Sequence, residues 1–281
     1  MRALVVTAHP SSRSLTAELA RVTCSALEGS GYSVEVSDLY AMGWDPAVRL
    51  EDYGEAAHES VSLRSRHAYD GGALAPEIVA EQDKLRRADL VVLLFPMWWH
   101  GMPAMLKGWF DRVFVNGFAF GLQDDAGLPR KYGDGGLAGR RMLAVITAGD
   151  RGGSFGPRGL NGDLEQLFFP LLHGTAWYTG MAALRPHLVA GVDRPGWDGF
   201  DQAARRLRER LAGLAGEEPI PYRALADGDY GRDRKLRVEV LSGQRGLSIH
   251  ERHVSERVPD DQHRDEQGLA EHGVDDHRLA S

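Results

Sequence analysis

The chain has 281 residues, 43% of them hydrophobic and 26% charged, with a formal net charge of −7; this composition supports an ordinary buried core, and its acidic balance argues against a nonspecific binder of nucleic-acid backbones, which needs a basic face. The single cysteine, Cys24, excludes an intrachain disulfide and a cysteine-rich metal centre, in keeping with a reducing compartment. No apolar run approaches the roughly 18 residues of a spanning helix and the amino terminus does not read as a signal peptide, so a cytoplasmic location without membrane insertion is expected.

Residues 2–8, "RALVVTA", form an unbroken apolar run and predict a strand covered on both faces. After the turn "HPSSRS", residues 15–29 carry apolar positions at helical spacing, with Ser14 placed as an N-cap and Gly29 or Gly31 near the stop. "YSVEVSDL" predicts a second strand, so the chain opens as a β-α-β crossover, which implies parallel strands. Residues 41–75 lack a strong period and are long for a loop, which predicts short helices or functional excursions. Alternation then resumes with a Pro-led helix at 76–88, a buried strand at 89–96, a second Pro-led helix at 103–114 and a strand at 140–149. A helix at 161–175, a fifth strand at 181–192 and a closing helix at 199–216 complete the series. The fold class that follows is α/β: an open, doubly wound sheet of five parallel strands with helices on both faces, whose ligands sit beyond the carboxyl ends of the strands.

Residues 217–247 are punctuated by Pro and Gly and are expected to pack on or near the domain formed by 1–216. Residues 248–281 are almost wholly polar and aperiodic, and are expected to be a disordered tail. Five of the 11 histidines fall there: His250, His253, His263, His272 and His277. No pair has a clear metal-motif spacing, and no metal site is expected.

Three loops leave strand ends and converge on one edge of the sheet. The first, "TAHPSSRSLT" (7–16), places hydroxyls around the start of a helix whose free N–H groups favour a phosphate. It lacks both the Walker ending and the GxGxxG pattern, and Ser14 reads equally as a plain cap. The second, "PMWWHG" (96–101), offers aromatic walls and backbone donors to a wide flat ring system, although one of its tryptophans suits core packing as well. The third, "TAGDRGGSFGPRGLNGD" (147–163), is rich in glycine, which lets backbone approach a ligand closely or simply leaves the loop mobile. Leu106, Trp109, Phe110 and Val113 are spaced as a buried face, while Asp111 and Arg112 read as solvated or paired. A hydrolase is excluded by the absence of G-x-S-x-G and H-E-x-x-H.

Taken together, "AHPSSRSLTAEL", "DLYAM", "GALAPEIVAEQDKLRRADLVVLLFPMWW", "GMPAMLKGWFDRVF", "GFAF" and "GLNGDLEQLFFP" resemble the FAD-dependent NAD(P)H:quinone oxidoreductases of flavodoxin-like fold, over roughly residues 1–215. The resemblance implies a bound FAD, with FMN less favoured, and NAD(P)H as substrate. It implies a ping-pong cycle in which hydride enters from NAD(P)H and two electrons leave together to a quinone. It also implies a homodimer with sites across the interface. By position, His9, Ser14, Leu15 and Thr16 would contact the pyrophosphate. Pro96, Met97, Trp98, Trp99 and His100 would line the ring, as would Thr147, Ala148, Gly149 and Asp150. Animal members pair a Tyr and a His in the third loop; here the matching residues are Phe155 and Asn161, and His100 replaces a Phe beside the ring. The phenyl ring of Phe155 donates no hydrogen bond, whereas Asn161 either donates to flavin or quinone oxygen or caps the next helix. Phe155, Asn161 and His100 are therefore the catalytic candidates beside the flavin. Phe120 and Leu122 stand where tyrosines would line the acceptor pocket, and Tyr178 matches an aromatic wall. A second expectation of another class is a soluble regulatory subunit of a potassium-efflux transporter, a role some relatives fill.

Overall fold

A computed structural model describes residues 1–55 and 60–252 of the chain; His253, His263, His272 and His277 lie outside the described residues. β1 (Arg2–Thr7) leads into α1 (Leu15–Gly29) and back to β2 (Ser33–Asp38). Ser14 caps α1: its hydroxyl accepts from the Ala17 N–H at 3.2 Å. The aperiodic stretch holds a 3-10 turn, Leu50–Tyr53, and α2 (Val61–Gly71). Then come α3 (Pro76–Arg87), β3 (Leu90–Pro96), α4 (Ala104–Val113) and β4 (Arg141–Ala148). All contacts between strands are parallel, in the order β2-β1-β3-β4 and then the strands that follow β4.

Alternation along the strands divides the core in two. Leu4 and Val6 face one way, packing with Phe95, Leu106 and Trp109 on the side of α3 and α4. Ala3 and Val5 face the other, packing with Leu19, Val92 and Leu207. Every residue of β3 is buried, as its continuous apolar run predicts.

Two expectations need correction. The fifth strand at 181–192 is broken into β5 (Ala182–Ala183) and β6 (His187–Ala190), both paired to β4, so the sheet has six strands in five positions. Pro186 stands in the gap, where it has no N–H to give to a ladder. The helix at 161–175 begins later and is irregular: α5 (Leu164–Leu167), α6 (Phe169–Leu171) and a π-helical stretch, Leu172–Trp177. Asp163 is its N-cap, accepting from the Glu165 and Gln166 N–H groups at 3.0 and 3.3 Å, so Asn161 is not the cap. Pro170 interrupts the ladder three residues after the first turn ends.

α7 (Phe200–Gly213) closes the second face against α1. The chain beyond it returns over the first face. The Ile220 N–H donates to the Ala183 carbonyl at 2.8 Å, the Trp177 indole donates to the Arg223 carbonyl at 3.1 Å, and Tyr222 is buried. A third correction follows at the tail. Residues 248–252 are ordered against this segment: the Arg223 N–H donates to the His250 carbonyl at 2.9 Å, and the Arg252 N–H to the Pro221 carbonyl at 2.8 Å. His250, expected in a solvated tail, is instead hydrogen-bonded to Tyr230 at 2.9 Å.

The glycine of the "LKGWF" string has a packing reason. A Cβ at Gly108 would lie 2.1 Å from the Pro46 carbonyl oxygen, so the aperiodic segment sits directly on the backbone of α4. Gly108→Ala is expected to destabilise the protein by about 1–3 kcal/mol through overpacking, read as a lowered denaturation midpoint at unchanged slope.

Candidate functional site

The strand order reverses between β1 and β3, which opens a crevice at their carboxyl ends. A cleft of about 290 Å³ lies there, lined by His9, Leu15 and Thr16 from the first loop, Pro96, Met97 and Trp98 from the second, and Thr147 and Gly149 from the third. The Thr16 and Thr147 hydroxyls meet across it at 3.2 Å, both buried, and the Met97 N–H donates to the Thr147 carbonyl at 2.8 Å.

A fourth segment joins that sequence reasoning missed. Val192 and Asp193, just beyond β6, complete the lining. The Val192 N–H donates to the Ala148 carbonyl at 3.2 Å, and the Gly191 N–H to the Asp150 carbonyl at 2.6 Å. The signal available was their place at the carboxyl end of the fifth apolar run. A Cβ on Gly149 would come within 2.3 Å of an Asp193 carboxylate oxygen.

At the first tip, the His9 Nδ1 accepts from the Ser11 N–H at 3.0 Å, which leaves Nε2 as the protonated donor. Ser14 sits behind this tip as the cap of α1, a 15-residue helix. Leu15 and Thr16 begin its first turn, where backbone N–H groups have no intrahelical acceptor and the dipole favours an anion.

At the second tip, Trp98 and Gly101 exchange two backbone hydrogen bonds at 3.0 Å, closing a two-residue turn. Its central residues, Trp99 (φ 50°) and His100 (φ 58°), are both left-handed, a conformation that only Gly, Asn and Asp adopt readily. The Trp99 ring is 99% exposed and Trp98 42% exposed, so neither indole fills the core. Trp98 lies 6.3 Å from the His9 ring.

The second and third tips are tied by a chain of side chains. Asp150 receives the Arg151 N–H at 2.8 Å and the Asn161 Nδ2 at 3.0 Å, and pairs with Arg194 at 2.8 Å. These bonds, led by the Arg151 N–H and then the Asn161 amide, hold its carboxyl down at a pKa of about 2. Because the Asn161 amide nitrogen faces the carboxylate, its oxygen faces His100, with 3.3 Å to Nε2. Only a protonated Nε2 satisfies that contact. Trp99, His100, Ala148 and Asp150 thus border the cleft rather than line it. Phe155 follows a 3-10 turn, Gly152–Ser154, and is half-buried away from the lining.

The three acceptor-pocket candidates separate. Phe120 and Tyr178 line another groove, of about 330 Å³, with Met102, Phe110 and Phe114. No residue is common to this groove and the cleft. Leu122 is elsewhere, where a Cβ on Gly136 would approach its side chain to 2.9 Å. Among the described residues no helix is long and apolar enough to cross a membrane, and no three His, Cys, Asp or Glu side chains are grouped to hold a metal.

Comparison with known proteins agrees with this fold. A family model described as the flavodoxin-like fold matches residues 1–211. A ribosyldihydronicotinamide dehydrogenase-like protein of Penicillium crustosum is 38% identical over 82% of this chain and 87% of its own length. NAD(P)H dehydrogenase (quinone) 1 of Rattus norvegicus is 33% identical over 92% of this chain and 96% of its own. Among solved structures, a Klebsiella pneumoniae protein assigned as a quinone reductase superposes with a TM-score of 0.85 at 38% identity, covering 90% of this chain and all of that one.

Proposed function

The chain belongs to the flavodoxin-like NAD(P)H:quinone oxidoreductase family and is an oxidoreductase, and on that premise we propose that it holds FAD in the strand-end cleft and passes reducing equivalents from NAD(P)H to a quinone or similar acceptor. The observation that carries the reading is the meeting of the three predicted loops, with the segment after β6, on a single cleft at the topological switch point. The residues fit a flavin: free amides at a helix start for phosphate, apolar and aromatic side chains for a ring, and a glycine where a Cβ would intrude. When bound, the flavin would supply two-electron hydride chemistry between NAD(P)H and the acceptor.

The chain's own residues bind and orient. The first turn of α1, with Leu15 and Thr16, would hold the phosphate, and Pro96, Met97, Trp98, Thr147 and Gly149 would line the ring. His100, oriented through Asn161 by Asp150, gives its Nε2 proton to the Asn161 oxygen, which leaves Nδ1 as the ring nitrogen for proton exchange. Of the three catalytic candidates, His100 and Asn161 carry this role and Phe155 does not. We place Phe120 and Tyr178 as the wall that one protomer lends to its partner's cleft, which makes the working form a homodimer. Its support is the separation of the two half-sites and the full exposure of Trp99 and Leu160, at 99% and 94%. Residues 1–216 form the flavin-binding unit and 217–252 a strap across it, in a cytoplasmic enzyme.

Purified protein is expected to be yellow and to oxidise NADH or NADPH when given a quinone. Extraction should release FAD, and release of FMN would correct the cofactor alone. Colourless protein that takes up neither flavin on reconstitution would sink the proposal.

A further inference from the structure

A larger cavity than the strand-end cleft, about 450 Å³, lies between the π-helical stretch and the strap. It is within the size range of small-molecule sites. Its walls are flat rings in two pairs: Phe169 stacks on His173 at 4.5 Å and 17°, and Tyr230 lies at 16° to His250. Tyr132 closes the space 5.0 Å from His173.

The interior is polar without being charged. Burial pushes His173 down to about 4 and His250 down as well, so both imidazoles are neutral at pH 7. His173 is 9% exposed, and its Nε2 has no hydrogen-bond partner in the protein. Among the lining residues the charged ones are Lys131 and Arg234, and the buried Arg223 behind the wall also acts on His250. The nearby carboxylates are taken: Asp229 by Arg223 and Arg252, at 3.0 and 3.2 Å, and Asp227 by Arg252 at 2.8 Å. No carboxylate among the described residues pairs with Lys131 or Arg234.

Backbone strain marks the same place. Five non-glycine residues among those described are left-handed; two form the turn at Trp99 and His100, and two more, Tyr132 (φ 53°) and Arg234 (φ 65°), line this cavity. Such strain persists where surrounding structure fixes it, and it gathers at ligand clamps.

We propose that this cavity is a second binding site, which takes a small planar aromatic carboxylate: the ring-lined wall takes its apolar body, and Lys131 with Arg234 hold its carboxylate. The site is independent of the flavin reading, since it shares no residue with the strand-end cleft. It touches the Phe120 groove at Gly174 alone among lining residues.

The test is calorimetric titration of the flavin-loaded protein with 2-naphthoate and, separately, 2-naphthamide. Naphthoate is expected to bind, with the uncharged amide at least about tenfold weaker. The double variant Lys131→Gln, Arg234→Asn is expected to loosen naphthoate by about tenfold, the loss of two partly screened contacts; Asn at 234 keeps the left-handed backbone, and an unchanged melting temperature reports an intact fold. Phe120→Ala, which lines only the neighbouring groove, and Trp99→Ala should leave the affinity unchanged. Absence of naphthoate binding, equal binding of the amide, full affinity in the double variant, or loss of binding in Phe120→Ala each overturns the proposal.

Discussion

Replacing Arg112 with methionine is expected to destabilise the protein by about 3–5 kcal/mol, because it leaves a buried carboxylate without its partner. Arg112 and Asp52 are each 3% exposed. The guanidinium grips Asp52 with two bonds, Nε to Oδ2 at 3.0 Å and Nη2 to Oδ1 at 2.6 Å. It also donates to Glu77 at 2.7 Å and to the Asp45 carbonyl at 3.0 Å, and it lies 4.7 Å over the Trp44 ring. One side chain on α4 thus pins the aperiodic segment to the domain. The melting temperature should fall by about 10 °C. Arg112→Lys should recover only part of the loss, since an ammonium cannot make the fork. Adding Asp52→Asn to Arg112→Met should restore stability relative to Arg112→Met alone, because the stranded charge is gone. If Arg112→Met melts within 2–3 °C of the parent, a shift worth about 1 kcal/mol at this size, the pair is not holding the segment.

His100→Ala is expected to slow acceptor reduction by about a hundredfold, the lower range for a positioned acid–base group, while hydride uptake from NAD(P)H changes little. Stopped-flow measurement of the two half-reactions separates these outcomes. The Asp150 carboxylate takes the Asn161 amide nitrogen, which turns the amide oxygen to His100 and fixes its proton on Nε2. With Asp150→Asn either amide orientation is satisfied, so the tautomer is no longer set; a fall of about tenfold is expected in the same step. Asp150 is held at about 2, below the unfolded value of about 4. Its contribution to stability is therefore complete above about pH 4 and lost as the pH falls through about 2. The relay keeps its carboxylate throughout the neutral range, so no break in the pH profile between 5 and 8 should trace to Asp150. Turnover of His100→Ala above half the parent value would remove the imidazole from the mechanism.

Much of this was legible from residue order alone. The strands are continuous apolar runs because both faces of a parallel sheet are covered, and β1, β3 and β4 fall within a residue or two of their predicted ends. Ser14 announces α1 because the cap is local chemistry between a hydroxyl and an amide three residues on. The convergence of three loops follows from topology. What escaped depends on contacts distant in sequence or on one interrupting residue. Pro186, between Arg185 and His187, splits a run that reads as one strand. Asp163 outcompetes Asn161 for the helix start, which frees Asn161 to face His100 from 61 residues away. Arg112 has its partner 60 residues earlier, in a segment with no period to read. Residues 248–252 look like the start of a solvated tail, yet Arg223 and Tyr230 fix them through partners that composition does not reveal.

The two-residue turn at Trp99 and His100 bears on any effort to harden this protein against heat. A designer would write Asn-Gly there, the pair that a tight hairpin of this handedness prefers. Relief of the left-handed backbone would be worth roughly 1 kcal/mol or more per position. The gain would erase the imidazole and the most outward-facing indole in one stroke. Resilience and chemistry pull against each other at this corner, and a thermotolerant version should seek its improvements elsewhere.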